Sequence, residues 1–414
     1  MESLQSREER WAIVQSLSDR LPHEVCDNEF GANTREGGGM NPSECLTLMA
    51  ATAFDMTAPN GNGTAFSDAD YARAIVIDGQ GGFDDPYGDP AESHLSARVV
   101  SELRQSGETA CSFTVNEVGN SPEVWTNTIR NLSNLDQMVS DNPDVLLKAM
   151  SSADIRRAKA EKKTAIICNT QDTSLIGADL ARIALLKGLG VRVVQLTYNN
   201  RNLSGDGCLE PGNGGLSKLG RATIAEIEKQ KLLLDLSHSG QRTTAEAIAA
   251  ATRPMTISHT GCRSLNNYPR NQWDAELKAC ADKGGVVGIY WVPFLAANAH
   301  ATSTDLVRHM NHAVNVCGQD HVAIGTDNLL FKTEINDKSR AEQKAFYDQR
   351  VAAGVAAPGE GADVFNIVWD WDGHMRFKML ANGLSADGWS TTQIEKVLGG
   401  NLMRLYADAW GEAK

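Results

Sequence analysis

Nothing in this 414-residue chain is long and apolar enough to cross a bilayer, since no run approaches the ~18–20 residues of a spanning helix. A basic surplus is missing too. Lys and Arg number 39 against 52 Asp and Glu, a formal net charge of −13, and binding to nucleic acid or an anionic membrane needs a cationic stripe. The eight cysteines (Cys26, Cys45, Cys111, Cys168, Cys208, Cys262, Cys280, Cys317) contain no CxxC pair, so neither a disulfide framework nor a structural zinc site is expected. Most should be reduced and buried. No GxGxxG follows the first strand-like run, which removes the usual dinucleotide signature. The segment from Met40, "MNPSECLTLMAATAFDMTAPNGNGTA", has the short apolar centre and small residues of an export signal. Its leading part has no Lys or Arg and contains Glu44, so a cytoplasmic location is the first expectation and export the alternative.

What is present is alternation. Residues 1–70 read as an extension, with one amphipathic helix, "REERWAIVQSLSDRL", and a Gly/Asn-rich linker. Over 71–414, eight β-branched or aliphatic runs alternate with helical segments: "AIVID", "ACSFTV", "TAIIC", "VRVVQLT", "KLLLDLS", "MTISH", "GVVGIYW" and "HVAIGTD". Several of the helical segments start with Ser, Thr or Asp and end with Gly, as capping requires. Continuously apolar strands alternating with helices predict an α/β fold, a (β/α)8 TIM barrel, with an open doubly wound sheet as the alternative.

In such a barrel the chemistry lies where strands end. Asp78 and Gln80, Asn116, Gln171, Tyr198 and Asn199, His238, His259, Tyr290 and Trp291, and Asp327 all occupy such positions. His238 and His259 close neighbouring strands, ~4.8 Å apart, within reach of one metal ion. Asp327 can hold a metal, accept a proton or bind an amine, or else cap a following helix. His309 and His312, three apart, read as the solvated face of an outer helix, and Trp371 and His374 as parts of a lid.

The stretches "QLTYNNRNLSGDGC", "GLSKLGRATIAEIEKQKLLLDLSHSG", "ISHTGCRSLNNYPRN", "HVAIGTDN" and "VLGGNLMRLYADAWGE" resemble the renal (membrane) dipeptidases, zinc peptidases of the amidohydrolase superfamily. The resemblance implies a metal-dependent-hydrolase barrel whose mouth holds two bridged zinc ions and cleaves dipeptides or related small amides. It further implies a His and an Asp from an HxD at the first strand, a bridging Glu after the third, and a His after each of the fifth and sixth. His238 and His259 match the last two. Gln80 and Gly82 in "DGQGG" stand where the HxD should be, and the bridging Glu falls on Gln171 or within a residue or two of it. Tyr198 stands where the family polarises the substrate carbonyl with a His. Arg270 matches the grip on the substrate carboxylate, and Asp327 the acid that meets the amine or moves the proton.

Two ions ~3.5–4 Å apart need anionic bridging, and Gln171 is neutral. One zinc on His238 and His259 is therefore expected rather than two, with an empty site as a further alternative. Asp327, Tyr198 and Gln171 are the expected catalytic groups, and Arg270, Asn199 and Gln80 the expected substrate contacts. The expected function is hydrolysis of a dipeptide or small carboxylate-bearing amide by a chain whose relatives are often dimers. The alternative is a metal-free lyase, isomerase or small-carboxylate binder.

Overall fold

The apolar runs become the strands β1 Ile77–Gly81, β2 Ala110–Thr114, β3 Leu146–Lys148, β4 Thr164–Thr170, β5 Val191–Gln195, β6 Leu233–Asp235, β7 Thr256–Thr260, β8 Val286–Ile289 and β9 Val322–Ile324. This computed structural model describes residues 65–83, 85, 92–119 and 121–411. The chain divides into Met1–Gly61 and Asn62–Lys414, and the described residues lie in the second unit. The expected N-terminal helix and the apolar centre of the segment from Met40 lie outside them. Among the described residues no helix is long and apolar enough to cross a membrane. All six cysteines described are free, five of them buried.

Neighbouring strands are parallel in the order β1-β2-β4-β5-β6-β7-β8-β9. The ring nearly closes where Gly82 bridges Leu329. There the Asp327 N–H donates to the Gln80 carbonyl (2.7 Å) and the Leu330 N–H to the Gly82 carbonyl (2.9 Å). This is the expected (β/α)8 barrel with one addition: β3 pairs with Thr164–Ile166 of β4, while β5 pairs with Cys168–Thr170.

Alternate strand residues face opposite sides. Val76, Ile166, Val194, Leu234, Ile257 and Ile324 pack outward under the helices. Ile77, Ala110, Ala165, Val193, Leu233, Val286 and Ala323 point inward and pack on Leu402, Leu405, Tyr406 and Trp410 of the C-terminal helix Asn401–Trp410, which plugs the N-terminal end of the barrel. Close approach inside the ring needs glycine at two places. A Cβ at Gly288 or Gly325 would fall 1.8 or 1.9 Å from the Ser258 carbonyl oxygen. Local chemistry sets the helices: the Ser96, Ser151 and Ser217 hydroxyls accept from the backbone N–H groups of Val99, Asp154 and Gly220, and Gly107 at φ 71 ends the helix Ala97–Ser106.

Candidate active site

The C-terminal ends of the strands surround a cavity of about 510 Å³, whose wall includes Asn116, Gln171, Tyr198, His238, Arg270 and Asp327. Asn199 and Tyr290, also at strand ends, line it too.

At its floor, ligand atoms of His238, His259 and Asp327 lie within 4.8 Å of one another, and His259 Nε2 is 4.0 Å from an Asp327 oxygen. Both imidazoles are buried, and both Nε2 atoms lack a hydrogen-bond partner. Burial costs ~1–3 kcal/mol for a polar atom left unpaired, so two such atoms facing one carboxylate call for an explanation. His238 (φ 62) and Asp327 (φ 56) also hold left-handed backbone conformations, which non-glycine residues rarely adopt outside constrained sites. Asp327 caps no helix, because the next one, Asp337–Ala352, is capped by Asn336.

The far nitrogens fix the tautomers. His238 Nδ1 lies 2.6 Å from Asn199 Oδ1, an acceptor only, so Nδ1 carries the proton and Nε2 a lone pair. His259 Nδ1 lies 2.8 Å from Ser258 Oγ, whose own proton goes to the buried Asp235 carboxylate. That carboxylate also accepts from the Ser237 hydroxyl and from the backbone N–H groups of Ser237 and Ser258. Burial, with the Arg270 charge adding, holds both imidazoles well below their ordinary pKa, hence neutral. Neutral imidazoles with free, inward Nε2 lone pairs beside a carboxylate suit a divalent ion, and their outer hydrogen bonds are of the kind that orients metal-bound His.

Burial pushes the Asp327 carboxyl up to about 6, with Arg270 and Arg350 opposing and Asp78 adding to the rise. The Gln171 side chain, on the same cavity wall, also opposes the rise. Gln171, which the family resemblance sets at the bridging acid, lines the cavity, and its acidic neighbour does not stand in for it. Asp172 is turned away, accepting from Asn202 Nδ2 (2.6 Å) and from the backbone N–H groups of Ser174 and Gly119.

Gln80 sits elsewhere than a substrate contact would. Its Nε2 donates to Thr114 Oγ1 (2.9 Å), the Thr114 hydroxyl donates to Asn169 Oδ1 (3.0 Å), and Asn169 Nδ2 donates back to Gln80 Oε1 (3.1 Å). The ring is closed and neutral, with Gln80 and Asn169 buried and Thr114 half-buried between β1, β2 and β4, and Gln80 is absent from the cavity wall. Asp78 points away as well. It accepts from the Thr326 backbone N–H (2.8 Å) and hydroxyl and pairs with the buried Arg376, which ties β1 to the end of β9.

Arg270 is 95% buried, yet Nη1 has no partner. Tyr198 stacks on His238 (4.0 Å between ring centres), and Arg350 Nη1 donates to its hydroxyl oxygen (3.2 Å). Since a guanidinium only donates, the Tyr198 proton is left to point elsewhere.

Arg350 was not singled out in the sequence, nor was the segment that carries it. The cavity roof comes from Phe346, Arg350, Val355 and Glu360, not from Trp371 and His374. Trp371 packs against the core and His374 lies 3.7 Å from Glu102. His309 is also no surface residue: it is buried, accepting from the Cys262 N–H (2.9 Å) and contacting the Leu295 carbonyl (3.0 Å). His312 does sit near the surface, beside Asp274.

Residues 90–343 match the sequence model of the membrane dipeptidase family, peptidase family M19. An amidohydrolase structure from Pseudomonas aeruginosa superposes with a TM-score of 0.71 at 30% identity, covering 83% of this chain and 99% of that one. A Klebsiella pneumoniae protein from the pqqA 5′ region is 27% identical over 290 residues, 67% of this chain and 94% of that protein. Dipeptidase aclJ of Aspergillus oryzae is 27% identical over 224 residues, and the chain spans about half of its length (53%).

Proposed function

Because this chain belongs to the membrane dipeptidase family of metal-dependent hydrolases, we propose that it hydrolyses a dipeptide or similar small carboxylate-bearing amide at a site built for one zinc ion. The observation that carries this reading is the pair of buried, unpartnered Nε2 atoms of His238 and His259 facing Asp327. Those three side chains would hold the ion, which when bound supplies Lewis acidity toward an amide carbonyl and water.

The rest is done by the chain's own groups. The free Nη1 of Arg270 binds the substrate carboxylate, for which a guanidinium is well matched. The Tyr198 hydroxyl, held by Arg350 so that its proton is available, donates to the oxyanion as the carbonyl carbon becomes tetrahedral. Asp327, whose carboxyl burial raises to about 6, accepts the proton of the attacking water and delivers it to the leaving nitrogen. Asn199 keeps the His238 ring oriented rather than touching substrate.

A second ion is disfavoured by chemistry. The positions that would serve it carry Gln80, Gly82 and Gln171, none anionic, and the Gln80 amide is spent on Thr114 and Asn169.

The deciding experiment is elemental analysis of the purified protein beside the His238→Ala/His259→Ala double variant, with dipeptide and N-acyl amino acid hydrolysis followed in parallel. About one zinc per chain, absent from the variant, with chelator-sensitive hydrolysis, is the expected result. Two ions would overturn the single-ion site. No metal, with chelator-insensitive turnover or simple carboxylate binding, would put metal-free acid–base chemistry or a binding role in its place.

A further inference from the structure

The helix Asp337–Ala352 has no buried residue, yet the chain at and after its end is tied to the mouth at three points. Asn199 Nδ2 donates to the Val355 carbonyl (2.7 Å), Asn200 Nδ2 to the Gly354 carbonyl (2.6 Å), and Arg350 Nη1 to the Tyr198 hydroxyl oxygen (3.2 Å). Glu360 pins Arg350 in turn, accepting from Nε (2.6 Å) and Nη2 (2.7 Å). Within 350–360 only Val355 and Ala357 add buried apolar side chains, so the segment is held mainly by these polar ties and opens at low cost. It roofs the cavity and rests on a residue that also contacts His238.

That residue is Asn199, and both ends of its carboxamide are engaged. A carbonyl can only accept, so Val355 holds the Nδ2 end, which turns Oδ1 to His238 Nδ1. The Cys208 thiol donates to the same oxygen (3.4 Å), which agrees with this orientation. Remove the Val355 carbonyl and the carboxamide is free to turn over. An NH2 group facing His238 Nδ1 would favour the tautomer protonated at Nε2, and the ligand atom would be masked.

We propose that Asn199 is a positioning residue coupling closure of the 350–360 lid to the readiness of His238 as a metal ligand. Zinc binding and lid closure then strengthen one another by the same factor, as linkage requires. This inference rests on the proposed metal-dependent reading and concerns its control.

The test uses the full chain, with zinc affinity read by competition against a chromophoric chelator and lid closure by hydrogen exchange of residues 337–366. Zinc is expected to slow exchange there. Glu360→Ala, with Arg350→Gln as a second way to release the lid, is expected to weaken zinc binding about tenfold, the scale of losing an outer-shell partner. In an Asn199→Asp background the same releases should change affinity less than about twofold, because a carboxylate accepts from Nδ1–H in either rotamer and no longer needs the lid. Equal weakening in both backgrounds, or zinc binding that leaves exchange unchanged, would overturn the coupling while leaving the hydrolase reading intact. Failure of the wild type to bind zinc at His238 and His259 would overturn both.

Discussion

The two halves of the barrel mouth handle buried polarity in opposite ways. On β1, β2 and β4, Gln80, Thr114 and Asn169 form a ring in which each donor meets an acceptor. At the ends of β6, β7 and β9, His238 and His259 leave Nε2 atoms unpaired beside Asp327, with His238 and Asp327 in left-handed backbone conformations. A satisfied neutral network adds order and offers nothing to a ligand, whereas an unsatisfied, preoriented one is destabilising until something binds. Under the proposed function this contrast puts the chemistry on one side of the mouth, and the closed ring on the other side keeps the pocket well formed where Gln80 and Gly82 offer no anionic ligand.

Removing the unsatisfied side should have the largest effect. The His238→Ala/His259→Ala variant should lose its zinc and, with it, several kcal/mol of Lewis-acid assistance, on the order of 10³-fold in kcat/KM for whichever dipeptide the wild type turns over. Retained activity without metal would erase the distinction between the halves. Asp327→Asn is the next step down. Asn tolerates a left-handed backbone, so the swap removes charge and proton transfer without moving the loop, and kcat should fall by ~10²-fold or more. An unchanged kcat would free Asp327 of the proton-carrying role.

The satisfied side should respond in stability rather than in chemistry. Gln80→Leu leaves Asn169 Nδ2 with only Ser112 and strips the Thr114 oxygen of its donor, at ~1–3 kcal/mol for buried groups losing partners. Denaturant titration should show that loss while zinc content and KM stay put. A rise in KM would instead return Gln80 to the substrate-binding role that its place at the strand end suggests.

These contrasts also mark what sequence could reveal. Strand runs and helix caps are local, so the barrel and the converging ends of its strands were legible, and the neutral Gln80, Gly82 and Gln171 stood out against the ligand pattern that the family resemblance implies. The added β3 is only "LLK", whereas the equally short β6 and β9 lie within the longer runs "KLLLDLS" and "HVAIGTD". The lid was hidden for a different reason: "DKSRAEQKAFYDQRVA" has no apolar stripe and no buried residue, so nothing marked Arg350. His309 was misread because its partners, Cys262 and Leu295, lie 47 and 14 residues away. Gln80 meets Asn169 across 89 residues, and no local pattern predicts that a residue standing for a metal ligand has been taken into a closed ring.

The smallest effect sharpens what an unpaired atom means. Glu108 is buried just before β2 with Oε2 unpartnered, yet it is absent from the cavity wall. Burial pushes its carboxyl up from 4.5 to about 8, with Asp78 adding to the rise and Arg376 opposing. A folded pKa above the unfolded one means that the native state binds the extra proton between about 4.5 and 8. Stability from this group is therefore full at low pH and lost as pH rises through that window. Glu108→Gln, neutral throughout, should melt higher than the wild type at about pH 9, by ~2–4 °C per kcal/mol recovered, and should lose that advantage near pH 5. Zinc content and turnover should not change. If they do, unpaired atoms away from the mouth belong to the site after all, and the division between its two halves has been drawn too narrowly.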